Sequence, residues 1–348
     1  MSEESAPRVS LILPVRNEES SIAACLRGLQ SQTYRDMEIL VIDGMSNDGT
    51  LAIVASHMED DSRIRIVHNQ ERVIPAALNL GLREARGTYL VRFDAHSVAP
   101  SDYVERIVDH LESGLYAGVG GAKIAVGGTS VMSQVIAGAL GSRFGVGGSR
   151  YHYAEEAMCV DHIPFGAYPI ELLRTLGGWN PALLANEDFE MDYRVRQSGG
   201  RLLLDPEIRI LWKSSQTLLD FGRQYQRYGR GKAAVARLHP DSLKLRHLLP
   251  VVELLVLSGS VVAALILRRA WPLLANTPYA CFLVASYSDA PLRKSSGRSP
   301  WLLPIVLGTM QMSWAVGFMR AIWRKRSAGA SPDTYRWRDL SQDVPTPR

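Results

Sequence analysis

VSLILPV, residues 9–15, is a continuous apolar run that leads directly into the polar sequence RNEE at 16–19. A run this short and apolar predicts a strand covered on both faces, as the strands of a parallel sheet are. Further strand patterns follow in MEILVID (37–43), IRIVHN (64–69) and GTYLVRFDAH (87–96). Strands that alternate with helices predict right-handed crossovers and an α/β fold with a doubly wound, mostly parallel sheet and helices on both faces.

The segments between these strands have helical patterns. In residues 17–32, Ile22, Cys25 and Leu29 recur on one helical face, so that this segment is predicted to be a helix. Asn17 is its expected N-cap, and the acidic residues after it are expected in the first turn. Residues 51–58 and 75–85 are predicted to be the next two helices, with Pro75 in a first turn.

Polar side chains stand where three of the predicted strands end. They are Arg16, Asn17 and Glu18, which follow Pro14 at the end of the first strand, Asp43 at the end of the second, and Asp94 and His96 at the end of the fourth. Ligands of open α/β sheets bind at the carboxyl ends of the strands, so these groups are expected along one edge. The alternative is that each carboxylate caps the following helix, although capping alone does not require a histidine beside Asp94.

The composition argues against several classes of function. The 348 residues are 46% hydrophobic, which supports a real core, and the net charge is only +4. Since no long basic run with interleaved aromatic residues is present, nucleic acid is not an expected partner. The three cysteines are far apart, which fits neither a disulfide framework nor a paired zinc site. No glycine follows the first strand, so a dinucleotide or ATP loop is disfavoured.

Apolar character is concentrated beyond residue 240. Of the stretches 248–267, 271–287 and 301–323, the first and third are long enough to cross a bilayer, which takes about 20 residues. Basic residues, including 324–326, and tryptophans flank them, as at a membrane interface. We therefore predict a domain over 1–240, membrane-associated helices over 241–330 and a polar tail over 331–348. Buried helices of a second soluble domain are the alternative.

Five ordered segments carry a family resemblance. They are VSLILPVRNEE, VIDGMSNDGT, AALNLGLREARGTYLVRFDAH, NEDFEMDYRVRQSGG and QYQRYGRGK, spread over roughly residues 8–235. Together they resemble the inverting family 2 glycosyltransferases of GT-A fold, and FDAHS is most similar to the subgroup that makes succinoglycan and other exopolysaccharides. The resemblance implies transfer of a hexose from a UDP-sugar, UDP-glucose in that subgroup, with Mn²⁺ or Mg²⁺ as the cofactor.

The triplet Asp94-Ala95-His96 corresponds to the DxD sequence of the family. The resemblance implies that Asp94 contacts the nucleotide ribose or the metal and that His96 is a metal ligand. An imidazole in place of the usual carboxylate favours Mn²⁺ over Mg²⁺. One alternative is that His96 caps a helix or lies next to a metal ligand without binding the metal itself. Another is that Arg72, just beyond the third strand, supplies the positive charge in place of a metal.

The resemblance also implies a nucleotide site. Pro14 and Glu18 are implied to shape the uridine pocket, and Asp43 to accept a hydrogen bond from the uracil ring. The second aspartate of the family pattern is Gly44 here, which departs from it. Asp48 is expected to be a turn or cap residue.

For the chemical step, the resemblance assigns Asp188 as the general base, with Glu187 orienting the acceptor or a loop. The alternative is that these acids merely favour a helix N-terminus, which fits Glu190 and Asp192 best. His152 and His162 are expected to be structural rather than catalytic.

Residues 221–232 complete the resemblance. Gln224, Arg227 and Tyr228 match a QxxRW pattern that covers the donor in membrane-bound relatives, with Tyr228 in place of the tryptophan as a ring for stacking on a sugar. Arg227 is suited to bidentate contacts with a diphosphate. The alternative, compatible with this role, is a basic patch attracted to anionic lipid.

The expected protein is thus a glycosyltransferase of the inner or cytoplasmic membrane, its catalytic domain facing the cytoplasm because the N-terminus carries no apolar signal segment. Its expected partners are a UDP-sugar donor, a lipid-linked or other saccharide acceptor for exopolysaccharide or cell-envelope glycan, and the membrane. One alternative is a non-catalytic scaffold that binds nucleotide sugars, but the presence of Asp188 argues against it. Another is a processive polysaccharide synthase, but the apolar segments are too few to form a secretion channel.

Overall fold

The computed structural model describes residues 6–289 and 299–323. Within them the chain forms two compact units. Residues 6–124 and 154–212 form the first, here called the sheet unit, and residues 125–153, 213–289 and 299–323 form the second, here called the helical unit. This division differs from the predicted boundary near residue 240. The predicted tail at 331–348 and the basic residues 324–326 lie outside the described residues.

Short loops connect the regular elements. The strands are β1 (Val9–Val15), β2 (Met37–Asp43), β3 (Ile64–His68), β4 (Tyr89–Arg92), β5 (Ser97–Val98), β6 (Gly118–Val126), β7 (Met158–Cys159), β8 (Ala167–Pro169) and β9 (Leu202–Lys213). The α-helices are α1 (Ile22–Gln30), α2 (Thr50–Asp60), α3 (Ile74–Glu84), α4 (Tyr103–Glu112), α5 (Val131–Leu140), α6 (Arg143–Val146), α7 (Ile170–Thr175), α8 (Glu187–Gln197), α9 (Leu218–Leu238), α10 (Leu245–Leu267), α11 (Thr277–Ala285) and α12 (Leu303–Trp323).

The strands form one sheet in the order β3-β2-β1-β4-β8-β6-β9-β5, and β7 pairs with β9. The first four strands of this order are parallel. Beyond β4 the pairing becomes antiparallel, since β8 runs opposite to β4 and β6, and β9 opposite to β5 and β7. The α/β class is therefore confirmed, but the sheet is parallel only in its first half.

Helices cover both faces of the sheet because successive side chains of a strand point to opposite sides. On β1, Leu11 and Leu13 pack into a core that includes Leu26 of α1. Ile12, between them, packs into a second core that includes Leu78 of α3. This double burial explains why β1 and β2 are continuous apolar runs, and both match their predicted bounds.

The first helix begins later than predicted. It starts at Ile22, after Ser21, and has no acidic residue in its first turn. Asn17 is not its N-cap: it adopts a positive φ of 56°, and its Oδ1 accepts a hydrogen bond from the backbone N–H of Asn47. The polar residues after β1 therefore form a loop at the strand end, which brings them to the edge where ligands of such sheets bind.

In the helical unit, α12 packs closely along α9. A Cβ atom added at Gly229 of α9 would collide with the backbone of Trp314, and one added at Gly317 of α12 would collide with the backbone of Gln226. The two backbones therefore touch, although α9 carries many charged and polar side chains. One side of α12 is thus covered by protein.

The helix α10 differs from α12 in burial. Both are long and apolar enough to cross a bilayer, but 6% of the apolar window of α10 is buried, against 39% for residues Pro300–Trp323. The second predicted apolar stretch, 271–287, forms a 3₁₀ turn at Trp271–Asn276 followed by the short α11. It folds back on α10, because Nδ2 of Asn276 donates a hydrogen bond to Oγ of Ser260 at 2.7 Å.

Candidate active site

The site is formed where β1, β2 and β4 end and α8 begins. The strand order places β1 between β2 and β4, so that Val15 is level with Asp43, and Ile12 with Arg92. Residues 94–96 leave β4 as a turn on the same edge. Arg92 joins the acidic N-terminus of α8, Glu187 and Asp188, to this edge.

Arg92 is the central residue of the site and is 7% exposed. Its Nη1 lies 3.1 Å from Oε1 of Glu187 and 3.9 Å from Oδ2 of Asp188, and its Nε lies 3.5 Å from Oδ1 of Asp94. Burial lowers the pKa of Arg92, but the three carboxylates raise it by more than burial lowers it. The guanidinium therefore stays charged. Asp94 and Asp188 contact one planar group and so lie within about 10 Å of each other.

The two acids at the start of α8 differ in environment. The Glu187 side chain is 7% exposed and the Asp188 side chain 31% exposed. Burial, and next the charge of Asp188, raise the pKa of Glu187 against the effect of Arg92. Burial also raises the pKa of Asp188, but His162 and then Arg92 more than offset it, so this pKa is lowered. Asp188 is thus the accessible, ionised member of the pair.

A network of hydrogen bonds and ion pairs centred on the buried Asp192 lies next to Asp188. Nδ1 of His162 is 2.6 Å from Oδ2 of Asp192, and Nε2 of His162 is 4.0 Å from Oδ2 of Asp188. The hydroxyl of Tyr168 donates to Oδ1 of Asp192 at 2.6 Å, and the backbone N–H of Ile163 donates to its Oδ2 at 2.9 Å. Asp192 therefore does more than favour a helix start, because its fully buried carboxylate collects three donors.

Glu190 does have the structural role expected of it. Its carboxylate accepts two hydrogen bonds from the guanidinium of Arg194, one turn later on α8. Arg194 in turn donates to the backbone carbonyls of Leu176 and Gly178. This pair anchors α8 to the preceding loop.

Glu18 and His96 meet at the end of β1 and β4. Nδ1 of His96 lies 3.8 Å from Oε1 of Glu18, and the hydroxyl of Ser21 donates to the other oxygen of that carboxylate. Burial raises the pKa of Glu18, but the contacts with His96 and Ser21 lower it overall. The contact with Glu18, opposed by burial and helped by Asp94, raises the pKa of His96. The His96 side chain is 41% exposed, so it remains accessible.

Asp43, the last residue of β2, is almost completely buried. Its side chain is 1% exposed, and its carboxylate accepts hydrogen bonds from the backbone N–H groups of Met45 and Ser46. Nδ1 of His68 lies 3.4 Å from Oδ2 of Asp43. In this conformation Asp43 fixes the turn after β2, and its contact with a nucleobase stays a prediction. Asp48 is a turn residue as predicted, since it accepts hydrogen bonds from Thr50.

The remaining predicted site residues are Pro14, Arg72 and three residues of α9. Pro14 lies within β1 and is half-buried, and Arg72 is exposed after β3. Gln224, Arg227 and Tyr228 lie on α9 in the helical unit, where Nε2 of Gln224 donates to the Tyr228 hydroxyl at 2.8 Å. The Arg227 guanidinium lies 5.8 Å from the Tyr228 ring centroid. Their roles toward a donor stay predictions.

Backbone strain is concentrated at the strand-end edge. Asn17 follows β1, Met45 follows β2, Arg72 follows β3 and Asn186 directly precedes α8, and all four have positive φ angles between 56° and 62°. Such conformations cost about 1–3 kcal/mol each in non-glycine residues and persist where the surrounding structure holds them. These four strained positions of the sheet unit thus lie close in sequence to predicted site residues.

Three residues near the acids were not predicted as site residues. Arg92 and His162 contact Asp188 directly, and Lys123 of β6 lies with its Nζ 4.2 Å from the ring centroid of Trp212. Burial lowers the pKa of Lys123, although Asp94 and Asp188 oppose this. An arginine inside an apolar strand is a sequence signal that could have indicated Arg92. No comparable local signal separates His162 from His152.

The sequence matches two related family descriptions. Residues 10–136 match "Glycosyl transferase family 2", and residues 89–316 match "Glycosyl transferase family group 2". The second match spans more than half of the chain and includes both Asp94 and Asp188.

Similar proteins come from bacteria and archaea. The chain is 29% identical to the succinoglycan biosynthesis protein ExoA of Rhizobium meliloti over 91% of this chain and 96% of that protein. It is 27% identical, over 66% of this chain and 74% of that protein, to a dolichyl N-acetyl-alpha-D-glucosaminyl phosphate diacetamidodideoxyglucuronosyltransferase of Methanococcus voltae. Its fold is similar to that of the mannosyltransferase PcManGT of Pyrobaculum calidifontis, with a TM-score of 0.58, 21% identity, and 92% and 89% coverage of the two chains.

The buried charge of Arg92 leads to a stability prediction. Arg92→Met keeps the apolar stem but leaves Glu187 buried without its cation, so we expect a loss of about 3–5 kcal/mol in the free energy of unfolding. Arg92→Met/Glu187→Gln should recover much of this loss, because the uncompensated charge is gone. Denaturant unfolding of the full-length variants measures both.

Arg106→Met is the matched control, because Arg106 pairs with Asp102 on the surface and its loss should change stability little. A double variant as unstable as Arg92→Met alone would contradict the electrostatic explanation.

Proposed function

The protein belongs to glycosyl transferase family 2, and from this premise we propose that it is an inverting enzyme that transfers a hexose from a UDP-sugar, UDP-glucose in the first instance, to an acceptor hydroxyl. One observation carries the proposal. The Arg92 guanidinium contacts both Asp94, at the strand end suited to the nucleotide, and Asp188, a candidate base. The groups that a single displacement needs are thus held together.

In this reaction the acceptor oxygen attacks the anomeric carbon of the donor, and the bond from that carbon to the diphosphate oxygen breaks. The acceptor proton passes to the carboxylate of Asp188, and the nucleoside diphosphate leaves from the opposite face. One displacement inverts the anomeric centre, so that an α-linked donor gives a β-linked glycoside.

Asp188 suits the role of base better than Glu187. A base must be ionised and must reach the acceptor hydroxyl. The pKa of Asp188 is lowered by His162 and Arg92 despite its burial, and its side chain is more exposed than that of Glu187. Glu187 makes the closer contact with Arg92, so we assign it to orienting the guanidinium and the first turn of α8.

Asp94 and His96 fit a divalent metal that the donor itself helps to bind. Among residues 6–289 and 299–323, no cluster of three or more His, Cys, Asp or Glu side chains is arranged as a complete metal site. A cation held by one or two protein ligands together with substrate phosphates requires no such cluster. The bound metal would neutralise charge on the leaving diphosphate. The similar Pyrobaculum structure is described as a complex with GDP-Man and Mn²⁺.

The nucleotide and acceptor contacts extend this proposal to other predicted residues. We assign Pro14, Glu18 and Asp43 to the nucleotide pocket, with Arg72 as a further positive charge near it. The exposed Arg227 guanidinium and the neighbouring Tyr228 ring are suited to a diphosphate and a sugar, respectively. Gln224 supports Tyr228 through their hydrogen bond.

The name of the similar Rhizobium protein refers to succinoglycan biosynthesis, which supports a role in exopolysaccharide or cell-envelope glycan synthesis. The apolar surface of α10 supports an acceptor that is carried on a lipid. We therefore place the enzyme at the cytoplasmic face of the cytoplasmic or inner membrane, with the sheet unit in the cytoplasm.

The base assignment predicts a clear kinetic effect. Asp188→Asn keeps the size of the side chain but removes the proton acceptor, so we expect a loss in kcat of about 100-fold or more. UDP binding should persist, because the substituted group does not contact the nucleotide in this scheme. Release of the nucleoside diphosphate, which is UDP from UDP-glucose or UDP-galactose and GDP from GDP-mannose, measures the loss in kcat with lipid-linked acceptors. Calorimetric titration with UDP measures the binding.

Asp205→Asn is the control, because Asp205 pairs with His110 away from the site. Full turnover by Asp188→Asn would reassign the base.

The metal assignment predicts that His96→Ala weakens UDP affinity in the presence of Mn²⁺ and changes it little without added metal, because imidazole is a ligand that Mn²⁺ accepts. Calorimetric titration of UDP, with and without Mn²⁺, measures this difference. His57→Ala is the matched control, since His57 pairs with Gln30 on the α2 side of the sheet unit. An Mn²⁺ titration unchanged by His96→Ala would show that His96 is no ligand.

Membrane binding is predicted to depend on α10. Leu265 and Ile266 are 73% and 75% exposed, so a Leu265→Asn/Ile266→Asn variant should fold normally but bind anionic liposomes more weakly. Leu115→Asn/Leu184→Asn, at apolar positions of the sheet unit that are 61% and 64% exposed, is the control. Co-sedimentation with liposomes measures the bound fraction. Wild-type protein found wholly in the supernatant contradicts membrane association.

A further inference from the structure

We propose that His162 is a positioning residue, held in place by Asp192, that orients the carboxylate of Asp188 and stabilises it as the anion. This inference rests on the proposed function, because it concerns the same base. It gives a role in the reaction to a residue that the sequence analysis treated as structural, and it adds Asp192 and Tyr168 as its supports.

The geometry of α8 allows one imidazole to contact both acids. Asp188 and Asp192 are four residues apart on this helix, so their side chains lie on the same face, one turn apart. His162 lies against this face, with Nδ1 2.6 Å from Oδ2 of Asp192 and Nε2 4.0 Å from Oδ2 of Asp188. Its ring also packs on Phe189, with 5.7 Å between the ring centroids.

The short bond to Asp192 fixes the imidazole. Asp192 is fully buried and is itself held by the Tyr168 hydroxyl and the backbone N–H of Ile163. Because Nδ1–H donates to this carboxylate, the ring turns Nε2 toward Asp188. An acid that orients a histidine, which in turn faces the reacting group, is a recurring arrangement in enzymes.

The other charged groups around Asp188 do not replace His162. Arg92 on β4 shares its charge among Asp188, Glu187 and Asp94, and Glu187 is itself acidic. Lys123 on β6 also faces the site and has a smaller effect on the pKa of Asp188 than either His162 or Arg92. Tyr168 on β8 is a neutral donor. His162 therefore adds a third positive charge near Asp188, beside those of Arg92 and Lys123.

The protonation of His162 follows from its two carboxylate neighbours. Burial lowers the pKa of His162, but the charge of Asp188 and then the contact with Asp192 outweigh this effect, so the pKa is raised and the imidazolium is favoured. Asp188 is thereby kept ionised before each transfer. When Asp188 takes up the acceptor proton, the imidazolium loses one of its two anionic neighbours, which favours release of that proton and return to the starting state.

The first test is the pH dependence of kcat/KM for UDP release from UDP-glucose. In His162→Gln the pKa of Asp188 should rise, because burial is then opposed by fewer positive charges. We expect a loss of about tenfold on the acid side of the profile, which shrinks as the pH rises. A loss of equal size at every pH indicates a structural role alone and overturns the inference.

Two further variants make this test specific. Tyr168→Phe removes one support of Asp192 without changing charge, so it should give a smaller effect in the same direction. His110→Gln is the matched control, since Nε2 of His110 is 2.8 Å from Oδ2 of Asp205, the same type of pair in the same unit. An acid-side loss in His110→Gln as large as that in His162→Gln overturns the inference.

The second test does not depend on activity. The pKa of His162 is followed by NMR in full-length protein with labelled histidines, assigned through His162→Gln. It should fall in Asp188→Asn, because coupling between two charges is reciprocal. An unchanged His162 titration overturns the inference alone. Full turnover by Asp188→Asn overturns the proposed function and, with it, the role of His162 in catalysis.

Discussion

A single buried cation holds the site together. Arg92 has little contact with water, and a guanidinium removed from water is costly unless carboxylates compensate it. One compensating carboxylate is Asp94, at the end of the same strand. The other two, Glu187 and Asp188, come from the start of α8, far away in the sequence. The same charge balance that makes Arg92 tolerable therefore holds Asp94 and Asp188 near each other.

The sequence predicted the parallel half of the fold because strands covered on both faces leave a strong signal. β1 and β2 are uninterrupted apolar runs and match their predicted bounds, and α8 begins at Glu187 as expected. The antiparallel half was not predicted, since strands such as β7 and β8, of two and three residues, are too short to show any period. Asn17 was misplaced because a polar loop at a strand end resembles a capped helix start.

At the candidate site, the local sequence pattern was sufficient to predict the acidic residues. It was not sufficient to predict the residues that contact them. Asp94, Glu187 and Asp188 stand at element ends, where a strand or helix pattern stops. The partners of these acids are set by tertiary packing: His162 is separated from Asp188 by a loop, β8 and α7. The burial of Asp43 is equally a property of the folded turn, in which its carboxylate is bonded by the two residues after Gly44.

Composition alone does not tell which of the two long apolar helices is covered by protein. By length and hydropathy α10 and α12 are alike, yet α12 lies backbone to backbone on the charged α9 at Gly229 and Gly317, whereas α10 is mostly uncovered. A helix packed along a neighbour with arginines at 223, 227, 230 and 237 has that side excluded from hydrocarbon. In the proposed membrane-bound state, contact with lipid therefore falls chiefly on α10, and that state does not require that both helices span the bilayer.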